Sequence, residues 1–201
     1  MGKVTAIKQQ QKRDERVSVY VDKVYRFSLT KDQAANLGIH IGQQLTDEEI
    51  SRLQTHSEFG KLRDSTFRWL SLRPRSRYEI DQYLQRKTDD ESLRGRLMGL
   101  LQELGYVDDE RFAKSWIQHR TLVKPMSMYR LKQELLQKGV PKEIIDKTLE
   151  TSDVDELAAL KDLIRKRKQR YQSREKLMAY LARQGFSYDL VKQALEQERD
   201  D

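Results

Sequence analysis

The 201-residue chain has no cysteine. That excludes disulfides, thiolate zinc centres and thiol nucleophiles, and it fits a reducing compartment. Glycine and proline are scarce, at nine and three residues, and there is no low-complexity segment, so the composition is that of a helix-rich, solvated and elongated protein. Long apolar runs are missing as well. Stretches such as Leu100-Leu101 are far too short to span a bilayer, and residues 1 to 16, MGKVTAIKQQQKRDER, lack the apolar core of a signal peptide. The chain is therefore expected to be cytoplasmic and without a membrane partner. No GxxxxGK[ST] loop, no GxGxxG after a strand, no serine elbow, no HExxH and no Ser–His–Asp spacing occurs. With only 37% apolar residues and a correspondingly modest core, these absences favour a non-enzyme with no cofactor.

What is present is charge. Charged residues make up 35% of the chain and the balance is +7, with an isoelectric point near 9.5. Such a surface suits polyanionic partners, nucleic acid or an anionic membrane, because clustered Lys and Arg release counterions when they neutralise phosphates. The excess is spread along the chain, +1 over 1–60, +3 over 61–104, +2 over 105–152 and +1 over 153–201.

The only β signal is RVSVYVDKVYRFSL, where alternating Val17, Val19 and Val21 meet an Asp22-Lys23 turn, which predicts a hairpin over about 16–29. Two strings, Thr30-Lys31-Asp32-Gln33 and Thr46-Asp47-Glu48-Glu49, have the form of capping boxes and predict two short helices, with Gly38 and Gly42 between them. Residues 1–60 thus form an N-terminal extension.

From residue 60 the pattern is helical and repeats. Ser76, Ser127 and Ser173, spaced 51 and 46 apart, each precede a helix with apolar residues at +4 and +8: Ile80 and Leu84, Leu131 and Leu135, Leu177 and Leu181. Longer amphipathic segments lie upstream (61–73, 109–120 and 155–170) and shorter ones downstream (89–104, 141–150 and 187–198). Three three-helix units are expected, over 61–104, 105–152 and 153–201, the last with an acidic tail, stacked into a curved array.

One string, GYVDDERFAKSW from Gly105, raises the question of chemistry. Asp108, Asp109 and Glu110 could hold a metal or work as acid and base, but His40, His56 and His119 show no spacing that would complete such a site. Asp108 reads as a helix N-cap, with Asp109 and Glu110 opposing the helix dipole. Phe112, Ala113, Trp116 and Ile117 form one apolar stripe and are expected in the core, like Phe67 and Trp69.

Function is expected among the cations. The segment KDLIRKRKQRYQSR carries seven against one acid, and places Lys161, Arg165 and Lys168 on one face, beside Arg167, Arg170 and Arg174. Arg73, Arg75 and Arg77 surround the first inter-helix turn, with Lys61, Arg63 and Arg68 upstream. Lys124, Arg130 and Lys132 occupy the matching turn of the second unit. Stacked units would align these clusters as a basic edge.

The strings RPRSRYEIDQYLQRK, LGYVDDERFAKSWIQHR and RLKQELLQKGVPKEIID resemble the RecX family of recombinase regulators. Gly105, Tyr106, Asp108, Asp109, Phe112 and Ala113, with Gly139 at the end of the following helix, carry the family pattern. One departure is Arg86-Lys87-Thr88, where the family often has Lys-Gly, so the first serine helix is expected to end differently. The resemblance implies three tandem three-helix repeats. It also implies a cytosolic, usually inhibitory modulator of the RecA recombinase, acting as a monomer, that lies in the groove of the RecA–DNA filament. Such a protein would suppress ATP hydrolysis, strand exchange and co-protease activity; some members of the family contact DNA directly, and DNA, single- or double-stranded and without sequence preference, is expected as a partner. The competing expectation is a stand-alone DNA-binding protein that uses one helix pair as a helix-turn-helix.

Overall fold

A computed structural model describes residues 1–10, 13–123, 126–171 and 173–200. The chain forms two compact units, one of residues 1–73 with 87–97, the other of 74–86 with 98 onward. The span 61–104, expected as one three-helix unit, is thus shared between them.

In the first unit the expected hairpin is present as β2 (Arg13–Val21) and β3 (Val24–Thr30). Asp22 and Lys23 both have positive φ, 50° and 68°, as a two-residue turn matched to strand twist requires. Neither is glycine, and side chains hold the turn: the Lys23 amide donates to Thr5 Oγ1 at 2.8 Å and the Lys3 amide to Asp22 Oδ1 at 3.0 Å. Both contacts come from β1 (Gly2–Gln10), which, like β4 (Gln44–Leu45), the pattern did not predict; the two strands extend the hairpin into a sheet of order β3-β2-β1-β4. In β1 the alternation is too weak to read, because Lys8, Gln9 and Gln10 are polar in succession. Pairing with β2, Ile7 opposite Val19 and Lys8 opposite Ser18, specifies the strand instead.

Both capping boxes form. Thr30 with Gln33 opens α1 (Lys31–Asn36), and Thr46 with Glu49 opens α2 (Asp47–Leu70). Two separate helices were expected, one opening at Thr46 and one over 61–73, but α2 is a single helix through Gly60. Glycine costs about 1 kcal/mol inside a helix, and tertiary contacts offset this. Arg16, buried beneath α2, has its guanidinium 3.7 Å from where a Cβ on Gly60 would lie. It donates to Asp64 Oδ2 at 2.8 Å and to the Ser28 carbonyl at 3.0 Å. The edge of β3 is covered by the same helix, Ser57 Oγ accepting the Ser28 amide and Gln54 donating to the Arg26 carbonyl. The core of this unit is Val4, Val19, Val21, Phe27, Leu29, Leu45, Ile50 and Leu53.

Helices α3 (Arg77–Gln85) and α4 (Glu91–Glu103) follow. Beyond them come α5 (Asp109–Val123), α6 (Met128–Gln137) and α7 (Lys142–Glu150), then α8 (Glu156–Arg167), α9 (Arg174–Arg183) and α10 (Tyr188–Asp200). Two cores are described within the second unit. One joins Phe112, Ala113 and Ile117 of α5 to Leu131 and Leu135 of α6 and Ile145 and Leu149 of α7. The other joins Leu160 and Ile164 of α8 to Leu177 and Leu181 of α9 and Val191 and Ala194 of α10. Each is one three-helix set, as the serine periodicity predicts.

The serines cap as expected: Ser76, Ser127 and Ser173 accept the amides of Glu79, Arg130 and Lys176. Gly139 and Gly185 end α6 and α9 at φ +70° and +89°. The amides of Val140 and Phe186 reach back to the carbonyls of Leu135 and Leu181, the C-terminal motif that a left-handed glycine makes possible.

Candidate functional site

The acidic cluster is occupied by structural bonds. Asp108 Oδ1 accepts the Arg111 amide at 2.9 Å, the N-cap of α5. Glu110 pairs with Lys114 at 2.8 Å and with Lys147 at 3.6 Å. The Lys114 hydrogen bond and charge, with Lys147 behind them, hold its carboxyl below the ordinary value. Asp109 does something the string does not reveal: its Oδ1 accepts the amide of Arg77, at the start of α3, at 2.8 Å. Among the described residues no group of three or more His, Cys, Asp or Glu side chains is placed to hold a metal ion.

The Asp109 contact is half of a repeated interlock. Glu156, first residue of α8, accepts the amide of Met128, first residue of α6, at 2.9 Å, as Asp109 of α5 does for α3. The serines supply the other half. While each Oγ accepts its own helix amide, its hydroxyl donates onward, Ser76 to the Lys138 carbonyl at 2.5 Å and Ser127 to the Gln184 carbonyl at 2.7 Å. Both acceptors are helix C-caps followed by glycine. A Cβ on Gly139 would lie 2.4 Å from Tyr78 Cβ and Cγ, and one on Gly185 would lie 2.6 Å from Ser127 Oγ and 2.8 Å from Tyr129 Cδ1. Glycine is needed where the tyrosine two residues after a serine presses on the next serine helix. The third serine differs. Glu175 takes the tyrosine position, its carboxyl held below its usual value by its own backbone amide and then by the Ser173 hydroxyl. Helix α3 ends at Arg86 with φ −73°, so the Arg86-Lys87-Thr88 departure corresponds to a helix end without a left-handed residue.

A polar cluster backs the interlock. Glu134, on α6, accepts from Arg120 Nε at 2.7 Å and Nη2 at 2.5 Å and from Trp116 Nε1 at 3.1 Å. Partial burial pushes the Glu134 carboxyl up, but the Arg120, Trp116 and Arg130 contacts together outweigh it and leave it below the usual range. The Glu134 hydrogen bond raises Arg120 against the opposing effect of burial. Trp116 stacks on Phe112 with centroids 5.9 Å apart, and Lys138 Nζ lies 5.1 Å from its ring centre while bridging to Glu79 at 3.0 Å. Both aromatics of the string are therefore packing residues.

The candidate cations separate into groups. Arg130 donates to Gln184 Oε1 at 2.6 Å and Lys132 is paired with Asp146. Arg174 lies in the field of Glu175, and Arg73, Arg75 and Lys168 also have interactions within the protein. Lys124 lies outside the described residues. By contrast Arg77, Lys161, Arg165, Arg167 and Arg170 have no side-chain hydrogen bond or ion pair among the described residues. The expected single face through Lys161, Arg165 and Lys168 is interrupted, because α8 ends at Arg167 and Lys168–Arg170 form a 3-10 turn. Arg165 and Arg167 thus sit in the last helical turn, where cations also offset the helix dipole.

Sequence reasoning did not single out Tyr78 and Tyr129, exposed by 49% and 60%. Their signal was available in the shared Ser-x-Tyr spacing of two aligned copies. Gln184 carried no such signal, since its role depends on which helix end approaches Ser127.

Three family models match the chain. "Regulatory protein RecX N-terminal domain" covers residues 2–46, "RecX, second three-helix domain" 108–149 and "RecX, third three-helix domain" 153–195. The regulatory protein RecX of Caldanaerobacter subterraneus subsp. tengcongensis is 28% identical over 188 residues, covering 91% of this chain and 93% of its own. That of Clostridium perfringens strain SM101 is 29% identical over 198 residues, 94% and 92% of the two chains. Among solved structures, a crystal structure of regulatory protein RecX superposes with TM-score 0.72 at 21% identity, over 98% of this chain and all of that one. RecX from Lactobacillus salivarius gives 0.63 at 22%, over 70% and 96%. With family models matched at its N-terminal sheet and at both later three-helix sets, and with the same fold in solved relatives, this chain belongs to the RecX family of regulatory proteins.

Proposed function

We propose that the chain inhibits the RecA recombinase by binding the RecA–DNA nucleoprotein filament in its helical groove, suppressing ATP hydrolysis, strand exchange and co-protease activity. Membership of the RecX family supports a regulatory role. The observation that carries the physical part is the set Lys161, Arg165, Arg167 and Arg170, on α8 and the 3-10 turn after it, with no internal partner among the described residues. Four unneutralised cations so close together repel one another and lose that penalty beside acidic protein or phosphate. The three-helix sets present such groups on rigid elements, and Arg77, at the start of α3, is a further cation without an internal side-chain partner among the described residues. In this reading the protein acts as a cytosolic monomer and needs no cofactor.

The test is RecA-catalysed ATP hydrolysis on single-stranded DNA with increasing amounts of the purified protein. A fall in rate at substoichiometric protein, with loss of strand exchange, is expected. Unchanged hydrolysis, strand exchange and filament length would sink the proposal.

A further inference from the structure

We infer that the groove between α6 and α9 is a binding site for an unstacked base of single-stranded DNA. The groove encloses about 290 Å³, close to the lower end of ligand-pocket volumes. Its wall is Tyr129. One side of that side chain rests on Gly185, whose lack of a Cβ lets the backbone approach, and the residue remains 60% exposed. The backbone thus fixes the ring while leaving it open to a partner, as a base-stacking platform requires.

The remaining lining groups have the chemistry of base-edge recognition. Gln133, Gln137 and Gln184 bring three amides to the groove. The first two make no side-chain hydrogen bond among the described residues. Gln184 is oriented: its Oε1 accepts from Arg130 Nη1 at 2.6 Å, which leaves the Nε2 donors for a ligand. Amides offer both donors and acceptors, the pattern that meets the Watson–Crick edge of an exposed base. Arg183 lies at the rim without a partner among the described residues, placed to neutralise a flanking phosphate. Glu134, the one acid in the lining, is already neutralised by Arg120. Base faces within a duplex are covered by their neighbours, so the site selects single strands.

This inference deepens the proposal that the chain works on a recombinase–DNA filament and rests on it for its biological setting, but it is measured with DNA alone. The probe is an oligo(dT) of about 16 nucleotides, near the upper site size of single-strand-binding folds, carrying one central 2-aminopurine. The full chain should bind it and quench the 2-aminopurine by stacking. Tyr129→Ala should weaken binding roughly tenfold or more and abolish the quench, while Tyr129→Phe retains both and duplex binding is unchanged by either. Gln137→Ala and Arg183→Ala, at exposed positions, should each weaken single-strand binding several-fold, and they decide the matter should Tyr129→Ala disturb folding. The inference is overturned by absent binding, by no quench in the unsubstituted protein, by variants that keep its affinity, or by equal losses on duplex and single strand. Because no RecA is present, this result stands apart from that of the ATPase assay.

Discussion

Ser127 Oγ lies 2.7 Å from the Gln184 carbonyl while accepting the Arg130 amide at 3.2 Å. One hydroxyl therefore caps its own helix and joins it to the end of another. Ser76 does the same with Glu79 and Lys138, so the join is a property of the repeat.

Ser127→Ala removes both bonds at a buried position and should cost about 2 kcal/mol. Ser173→Ala removes a cap without an onward bond to another helix and should cost about 1 kcal/mol or less. Urea unfolding followed by circular dichroism compares the two; equal losses would show that the onward bond contributes nothing.

Gly139→Ala should be more damaging than Gly105→Ala. Both have a left-handed φ, near +70°, so both incur a backbone cost of about 1 kcal/mol. Only at Gly139 would the new methyl strike Tyr78, at 2.4 Å, whereas nothing lies within 4 Å at Gly105. Overpacking adds about 1–3 kcal/mol. The difference in unfolding midpoint reads it, and Gly139→Ala should lose less in a Tyr78→Gly background, where both the Cβ and the ring it would strike are gone.

Asp109→Asn should lower stability only slightly, because an amide oxygen can still accept the Arg77 N–H, while Asp109→Ala should cost about 1 kcal/mol more. Neither should abolish inhibition of RecA ATPase. Loss of inhibition by a well-folded Asp109→Asn would return the cluster to a direct functional role.

Glu134 gives a pH dependence with a defined sign. Its carboxyl is held below the ordinary range in the folded chain, so the unfolded chain binds the proton more readily. Its contribution is complete above the unfolded carboxylate value, about 4.3, and is lost as pH falls through the lower folded value. Thermal melts between neutral pH and about pH 3 should show this loss, and Glu134→Gln should make the melting curve flatter over that acidic window.

Replacing Arg165, Arg167 and Arg170 together by alanine should weaken DNA or filament binding at low salt. For single strands it should reduce the slope of log affinity against log salt by about 0.7 for each phosphate no longer neutralised. An unchanged slope would place the anion-binding groups elsewhere.

Local chemistry made much of this molecule legible in advance. The Thr30 and Thr46 boxes, the serine caps and the Gly139 and Gly185 stops involve groups within a few residues of one another, so spacing alone specifies them. The Asp22-Lys23 turn was legible for the same reason. What was not legible involves distant partners. Strand β1 exists because β2 pairs with it, and α2 continues through Gly60 because Arg16 and Asp64 pack there.

The candidate site divides along the same line. The amino-acid sequence by itself determined which residues cap, which are apolar at helical spacing and where cations are dense. Only the tertiary structure decided that Asp109 bonds Arg77, that Arg130 is committed to Gln184 while Arg165, Arg167 and Arg170 are not, and that Tyr129 lines an amide-rich groove. The physical reason is range: a cap closes over one helical turn, whereas a partner 32 or 54 residues away is supplied by the packing of other helices.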